Sequence, residues 1–559
     1  MTSVGSDAHR LGWKDWLILV AVSALVLLPG ISSLPPVDRD ESRYAVATNQ
    51  MLETGDYIDI RFQEEQRYLQ PAGIYWLQSI AVAVTGTADD REIWAHRIPS
   101  FLGILAAVLM TGAIATRLYG RHAGYGAALL VATAFAVGFE ARIAKTDAVL
   151  LATITAAHLA LMRTYLEPKG HWWRPALFWA ALGGGLMIKG PIILLFVGLT
   201  LIALVIWDRK FAWLGALKPL WGVPLFLAIA LPWYVAIGIV SDGGFYAEAV
   251  GDSLMGKVGE SQQSHAGPPG YYLGLLSLSF WPGSLFFVFA AWFAWTRRAE
   301  PATRYLIAWI VPAWIVYELI ATKLPHYVMP LYPAMACLAV AAIFQPGDAR
   351  APLWLRVAAG LYAVIWLVTS GFVAAFGAAL LQWSEGQLSP VLIVAGVAIL
   401  VSAMAALGLY LSGRKPKALA AGLVAGGLAV VTVYAGTLPR LDTLFLTPRI
   451  VAAVEALSEC EPTRLVTSAY REPSLVYRHG PYDTRLANGP ADAADTLADD
   501  PACTVALIDA SEADAFLNRA ESLGLDLDAL AVIEGQNYSN GDAMNLTLYR
   551  AGPRTGNGE

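Results

Sequence analysis

The stretch DRDESR, Asp38 to Arg43, sets three carboxylates and two guanidiniums within six residues, directly after the apolar run LILVAVSALVLLPG. Charge beside a membrane is costly unless it is paired, snorkelling or functional. Four further stretches repeat the pattern. FEARIAKTDAVLLA carries Glu140, Arg142, Lys145 and Asp147 between apolar segments. GLMIKGPIILL interrupts a hydrophobic pair at Lys189, and ATKLPHYVMPLYP does so at Lys323, His326 and Tyr327. The loop GFYAEAVGDSLMGKVGESQQSHAGPPGYY adds Glu248, Lys257, Glu260 and His265. Cations of this kind can hold a phosphate, and a carboxylate among them can serve as base or orienter. The residues therefore suit chemistry on an anionic substrate at a membrane surface.

Each residue also has a plain structural reading. Asp40 and Asp147 could cap helix N-termini, and Glu41 could favour one electrostatically. Arg43 could pair with Asp40. Lys189 and Lys323 could snorkel from helix ends. Tyr75, Trp76, Tyr271, Tyr272 and Tyr327 could be interfacial anchors or the apolar wall of a cavity. His265 and His326 fit no zinc spacing. Asp38-Arg39-Asp40 resembles a metal-binding DxD, but no metal is the default expectation, with a divalent ion left open.

The elements that must position these residues are membrane helices. Of 559 residues 57% are hydrophobic and 15% charged, and mean hydropathy is +0.52, whereas soluble domains carry about 25% charged residues. Apolar runs recur at 17–34, 98–116, 123–141, 148–162, 175–188, 191–207, 219–239, 271–296, 305–321, 327–344, 353–380, 388–412 and 418–437, which predicts thirteen spans. The run 72–86 is too short to cross and reads as an interfacial helix. With the N-terminus cytoplasmic, the inner segments collect 18 Lys and Arg, as the positive-inside rule requires. All five charged clusters then fall on the outer face, as do residues 438–559. No small-x-small cleavage site follows the first run, so it is expected to be an uncleaved span.

The tail 438–559 is more polar. RLVTSAYREPSLVYRHG and CTVALIDA read as short strands, and SEADAFLNRAESLG as a helix, which makes a small α/β domain. Cys460 and Cys503 lie in it and could pair in an oxidising compartment, while Cys337 sits in an apolar run. The net charge of −6 and the lack of a basic patch give no sign of nucleic-acid binding. A lipid-linked-sugar flippase would favour repeated halves and charges mid-helix, and neither stands out. A membrane scaffold would not need Asp40 or Asp147.

DESRYAVATNQMLETGDYI followed by RYLQPAGIYWLQ resembles the first outer loop of the aminoarabinose transferase (ArnT) and protein O-mannosyltransferase group, membrane glycosyltransferases of the C-type fold. ARIAKTDAVLLA, IKGPIILL and TKLPHYVMPLYPA match later motifs in the same order, so the resemblance covers about residues 1–345. It implies a mainly α fold of about thirteen spans over 1–437, with a first periplasmic loop at 35–97 and a periplasmic α/β domain at 438–559. It implies transfer of a sugar, 4-amino-4-deoxy-L-arabinose or one similar, from a polyprenyl-phosphate carrier to lipid A or another outer-leaflet acceptor of a bacterial inner membrane. A different sugar, or a polysaccharide or protein acceptor, is the close alternative. Carried over by position, Asp40, Glu41 and Asp147 would be catalytic. Arg43, Lys189 and Lys323 would hold the donor phosphate, and Arg142, Lys145, Tyr75, His265, His326 and Tyr327 would line the substrate cavity. Gln70, in LQPAG, departs from the pattern: relatives of this kind carry a lysine before the proline. An amide can donate a hydrogen bond but brings no charge.

Overall fold

The computed structural model describes residues 10–88, 90–249, 251, 267–345, 352–457, 460 and 462–552. Apolar helices dominate it, and every apolar run of the sequence is met by a helix or a helix pair. Among the described residues seven helices are long and apolar enough to cross a membrane: Ile93–Tyr119, Thr146–Leu166, Pro219–Val240, Pro325–Phe344, Leu353–Glu385, Pro390–Leu411 and Lys415–Arg440. Shorter apolar helices accompany them, among them Trp13–Leu27, Trp173–Lys189 and Ile192–Asp208. One expected span is not a single rod. Over 271–296 the chain forms Tyr271–Ser279 and Gly283–Thr296, bent by 118°, with Pro282 at the break, where a helix loses a donor and meets a steric block.

The exit from the first helix is fastened by two buried arginines. Arg97 is fully buried and donates to the carbonyls of Ile31, Leu34 and Pro35 and to both oxygens of Glu41. Arg142 donates to the carbonyls of Val26, Pro29 and Gly138. Apart from that of Gly138, these carbonyls lie at the end of the first helix and just beyond it, where backbone acceptors lack intrahelical partners. Without such donors, burial there would leave unpaired polar groups.

Two short helices then lie between the long ones. Asp40–Thr54 is polar and largely buried, and Gly73–Thr85 is apolar and 13 residues long. At 1.5 Å per residue the latter spans about 20 Å, too short to cross, as its sequence suggests. It packs backbone to backbone on Trp173–Lys189: a Cβ on Gly73 would stand 2.6 Å from the Met187 carbonyl oxygen. Between the two helices lies a small hairpin of β1 (Arg61–Phe62) and β2 (Glu65–Gln66).

The C-terminal α/β domain is built on β3 (Arg464–Thr467), β4 (Thr484–Leu486), β5 (Thr504–Asp509), β6 (Leu527–Asn537) and β7 (Asp542–Ala551). They form a sheet of order β4-β3-β5-β7-β6, parallel for β4, β3 and β5 and antiparallel for β7 and β6. Strand alternation fixes its two faces. Leu465, Val505 and Leu507 pack under helix Leu446–Leu457, while Val466, Ala506 and Ile508 pack under Pro490–Asp499 and Ala513–Ser522. Both faces are covered, so β5 reads as a continuous apolar run. The second half of RLVTSAYREPSLVYRHG is helix Pro473–His479, not strand: Pro473 stands at its first turn, where a missing N–H costs nothing. In the long hairpin β6–β7, β7 buries Met544, Leu546 and Leu548 in alternation, whereas β6 shows no such pattern.

Cys460 and Cys503 are joined by a disulfide, with Cα atoms 5.5 Å apart, and Cys337 is buried. The domain rests on the first loop. Val476 and Tyr477 pack on Ala45, Val46 and Ile93.

Candidate active site

Asp40 and Glu41 are sequence neighbours with opposite surroundings. Helix Asp40–Thr54 begins at Asp40, so Asp40 is its first residue rather than its cap, and no side chain caps that terminus. Its side chain is 67% exposed, with Oδ1 4.0 Å from Arg67 Nη2. Glu41 is 1% exposed. Its Oε1 accepts from Arg97 Nε and the Ala144 amide, and its Oε2 from Arg97 Nη2 and the Val37 amide. All four acceptor positions are thereby used. Held this way, Glu41 joins the first loop to the segment before Thr146.

Arg43 is half-buried beside Asp40. Among the described residues no carboxylate lies within 4 Å of it, so the pairing with Asp40 is not made. Burial and the nearby Arg67 hold its guanidinium below the usual range. Asp38 points elsewhere, accepting from the Ser474 amide of the C-terminal domain at 3.0 Å. The two aspartates of the DxD-like triplet therefore do not converge. Among the described residues no group of three or more His, Cys, Asp or Glu is arranged to hold a metal.

The second cluster is a buried network. Asp147 lies in the first turn of helix Thr146–Leu166, whose cap is Lys145 without a side-chain bond. Its Oδ1 accepts from Lys189 Nζ at 2.6 Å and lies 3.7 Å from His326 Nε2, and its Oδ2 is 3.9 Å from Lys145 Nζ. Lys145 reaches Glu140 Oε1 at 3.0 Å, and His326 Nδ1 is 3.7 Å from that oxygen. Glu140 Oε2 is buried with no hydrogen-bond partner. Two acids, two ammonium groups and a histidine from four chain segments thus share one pocket. Glu140, seven residues before Asp147 in EARIAKTDA, is thus a member of the same network.

An apolar cavity of about 830 Å³ adjoins this network. Asp147, Lys189, Gln70 and His326 form its polar end, and Tyr327 and Tyr246 stand among its aromatic walls. Helix Pro219–Val240 and residues 186–196 supply most of the aliphatic lining. Such a chamber suits a long apolar ligand with one charged end.

Several expected residues fall outside it. Arg142 is corrected to a structural role, since its guanidinium is spent on three backbone carbonyls. Lys323 is buried and donates to the Ile320 carbonyl at 2.6 Å, which satisfies a helix C-terminus rather than the cavity. Tyr75 is fully buried, its ring centroid 5.2 Å from that of Tyr44, and does not line the cavity. His265 lies outside the described residues. Arg67 was not singled out by the sequence. It is 7% exposed, stacks over Tyr44 at 5.4 Å and is the cation closest to Asp40. Its position three residues before Gln70 is the signal that could have found it.

The family model described as dolichyl-phosphate-mannose-protein mannosyltransferase matches residues 35–241. Over 97% of this chain and all of the other, the backbone superimposes on the crystal structure of ArnT from Cupriavidus metallidurans bound to undecaprenyl phosphate, with TM-score 0.74 and 18% identity. The chain has the ArnT-like form of the C-type glycosyltransferase fold. This ArnT-like chain also superimposes on the apo oligosaccharyltransferase of Archaeoglobus fulgidus, with TM-score 0.52 and 11% identity, over 97% and 75% of the two chains. A curated relative, the undecaprenyl phosphate-alpha-4-amino-4-deoxy-L-arabinose arabinosyl transferase of Yersinia pestis, is 24% identical over 331 residues, 58% of each chain. The second enzyme of that name from Pseudomonas fluorescens is 27% identical over 341 residues, 60% of this chain and 56% of its own. The match thus spans somewhat over half the length of these curated relatives. Fold and spans together make the ArnT-like chain a multi-pass membrane protein.

Proposed function

We propose that this protein transfers a sugar from a polyprenyl-phosphate carrier to an outer-leaflet acceptor, with lipid A as the first acceptor to test and an aminoarabinose-like sugar as the first donor. The observation that carries the reading is one apolar chamber ending on the Asp147–Lys189–His326 cluster. The prenyl chain lies in the chamber, and its phosphate meets Lys189, Gln70 and His326. Arg43 and Arg67 stand beside Asp40, whose charge is felt in turn by Lys145 and Tyr327. Residues 1–437 form the transferase unit and 438–559 a periplasmic domain, in a bacterial inner membrane with the N-terminus cytoplasmic. The disulfide supports the oxidising side for the C-terminal domain.

In the reaction an acceptor oxygen forms a bond to the anomeric carbon, while the bond from that carbon to the phosphate oxygen breaks. The electron pair leaves on the polyprenyl phosphate. Fixed cations stabilise that growing charge. Asp147 holds Lys189 in place, and Asp40, the exposed carboxylate, takes the proton from a hydroxyl acceptor or orients a phosphate acceptor. With Gln70 in place of a lysine, charge on the phosphate depends more on Lys189 and the arginines.

The test supplies extracted polyprenyl-phosphate sugars and lipid A to the protein in proteoliposomes and follows acceptor mass. A gain equal to one sugar residue, with release of polyprenyl phosphate, is expected. Donor that stays intact with every acceptor offered would reject the reading.

A further inference from the structure

The segment that carries Asp40 is held from outside the membrane domain. The Asp38 amide donates to the Tyr538 hydroxyl at 2.6 Å, and the Arg39 guanidinium donates to the Ser539 carbonyl at 2.7 Å. The Ser474 amide, in the first turn of helix Pro473–His479, donates to Asp38 Oδ1 at 3.0 Å. Tyr538 and Ser539 lie in the turn between β6 and β7, five hundred residues along the chain. The turn is itself braced. Glu472 accepts from Asn537 Nδ2 at 2.8 Å and from the Ser539 hydroxyl, and the Tyr538 ring lies 5.4 Å from Phe445.

The backbone so held is not relaxed. Arg39 has φ 66° and ψ −103°, a conformation glycine adopts freely and arginine does not. Strain of this kind costs on the order of 1–3 kcal/mol and persists only where surroundings over-determine it. Here the surroundings are the turn and the helix of the C-terminal domain, and the next residue is Asp40.

We propose that Tyr538 and Ser539 are positioning residues for the transfer reaction: the C-terminal domain fixes the Asp38–Arg39 kink and thereby sets where the Asp40 carboxylate stands. The domain acts on the reaction without touching the substrate. The proposal rests on the role of Asp40 proposed above. A displacement of about 1 Å in a reacting group can cost as much as a hundredfold in rate, so loss of one of the two bonds to the turn should be visible.

The experiment uses the full chain in detergent or proteoliposomes, with Tyr538→Phe removing only the hydroxyl, Arg39→Ala removing the second bond, and Tyr482→Phe, exposed elsewhere on the same domain, as control. Two quantities are read: hydrogen exchange of the amides over residues 37–42, and kcat and KM for the lipid-linked sugar. Tyr538→Phe should speed exchange in that segment and lower kcat about tenfold, with donor KM within about twofold, because the phosphate site is untouched. Arg39→Ala gives the second reading should Tyr538→Phe fail to fold. Unchanged exchange would overturn the clamp. Faster exchange with unchanged kcat would overturn positioning. Should the wild type transfer no sugar, the proposed function falls and this inference about the reaction falls with it, while exchange still reports whether the clamp exists.

Discussion

Asp40 and Glu41 differ by one step along a helix, about 100° of rotation, and that step separates an exposed acid from a saturated buried one. Removing one partner of a buried ion pair costs about 3–5 kcal/mol. Glu41→Gln should therefore lower the thermal unfolding midpoint in detergent markedly, and an unchanged midpoint would contradict the joint described for it. Gln70 lines the cavity without charge. Gln70→Lys should lower donor KM severalfold at low salt, and the gain should shrink as salt rises. A KM that does not move would place the phosphate elsewhere. Both charged clusters were legible in the sequence because charge beside apolar runs is rare. Their partners were not: Arg97 lies fifty-six residues from Glu41, and Ala144 more than a hundred. Periodicity carries no record of such pairings.

At the scale of elements, the joint between the first loop and the C-terminal domain titrates. Burial, and after it the Glu472 carboxylate, push Asp38 up to about 7, against the lowering pull of its bond from Ser474. Tyr470 and Tyr538 also face it. The sign follows from linkage. The folded joint prefers Asp38 neutral, so its contribution is full below the ordinary carboxylate range and is lost as pH rises through about 7. Wild-type protein should lose protection at residues 472–474 between pH 5 and pH 8. Asp38→Asn should lose much less, and this difference removes other groups, such as His479, whose buried ring shifts the opposite way. Equal losses would contradict the assignment. Helix Gly73–Thr85 depends on one close approach. Gly73→Ala would bring a Cβ to 2.6 Å from the Met187 oxygen, so it should displace Gln70 relative to Lys189 and reduce both stability and donor binding. The helices were legible from hydrophobic runs. The bend at Pro282 and helix Pro473–His479 were not: one proline breaks a helix and the other begins one, and tertiary packing decides which.

For the molecule as a whole, the disulfide closes a loop across 43 residues of the C-terminal domain. Chain-entropy reasoning gives such a closure about 4 kcal/mol. Replacing both cysteines by serine should make the domain sensitive to protease at temperatures the parent resists, while the membrane helices stay intact. A parent and variant cut at the same temperature would show that the bridge adds little. The chain shares its fold with ArnT, and its own chamber gathers Gln70, Asp147, Lys189 and His326 among otherwise apolar walls. The composition announced a membrane protein, and the motif order announced the fold. Residue patterns could not show that the C-terminal domain grips the loop bearing Asp40, because each bond of that grip joins a side chain to a backbone group more than four hundred residues away. The most direct measurement is sugar transfer to lipid A in proteoliposomes by wild type and by Asp40→Asn, matched for folded protein. A mass gain of one sugar in the wild type, reduced at least a hundredfold in Asp40→Asn, is the predicted result; equal gain in both would contradict the role given to Asp40.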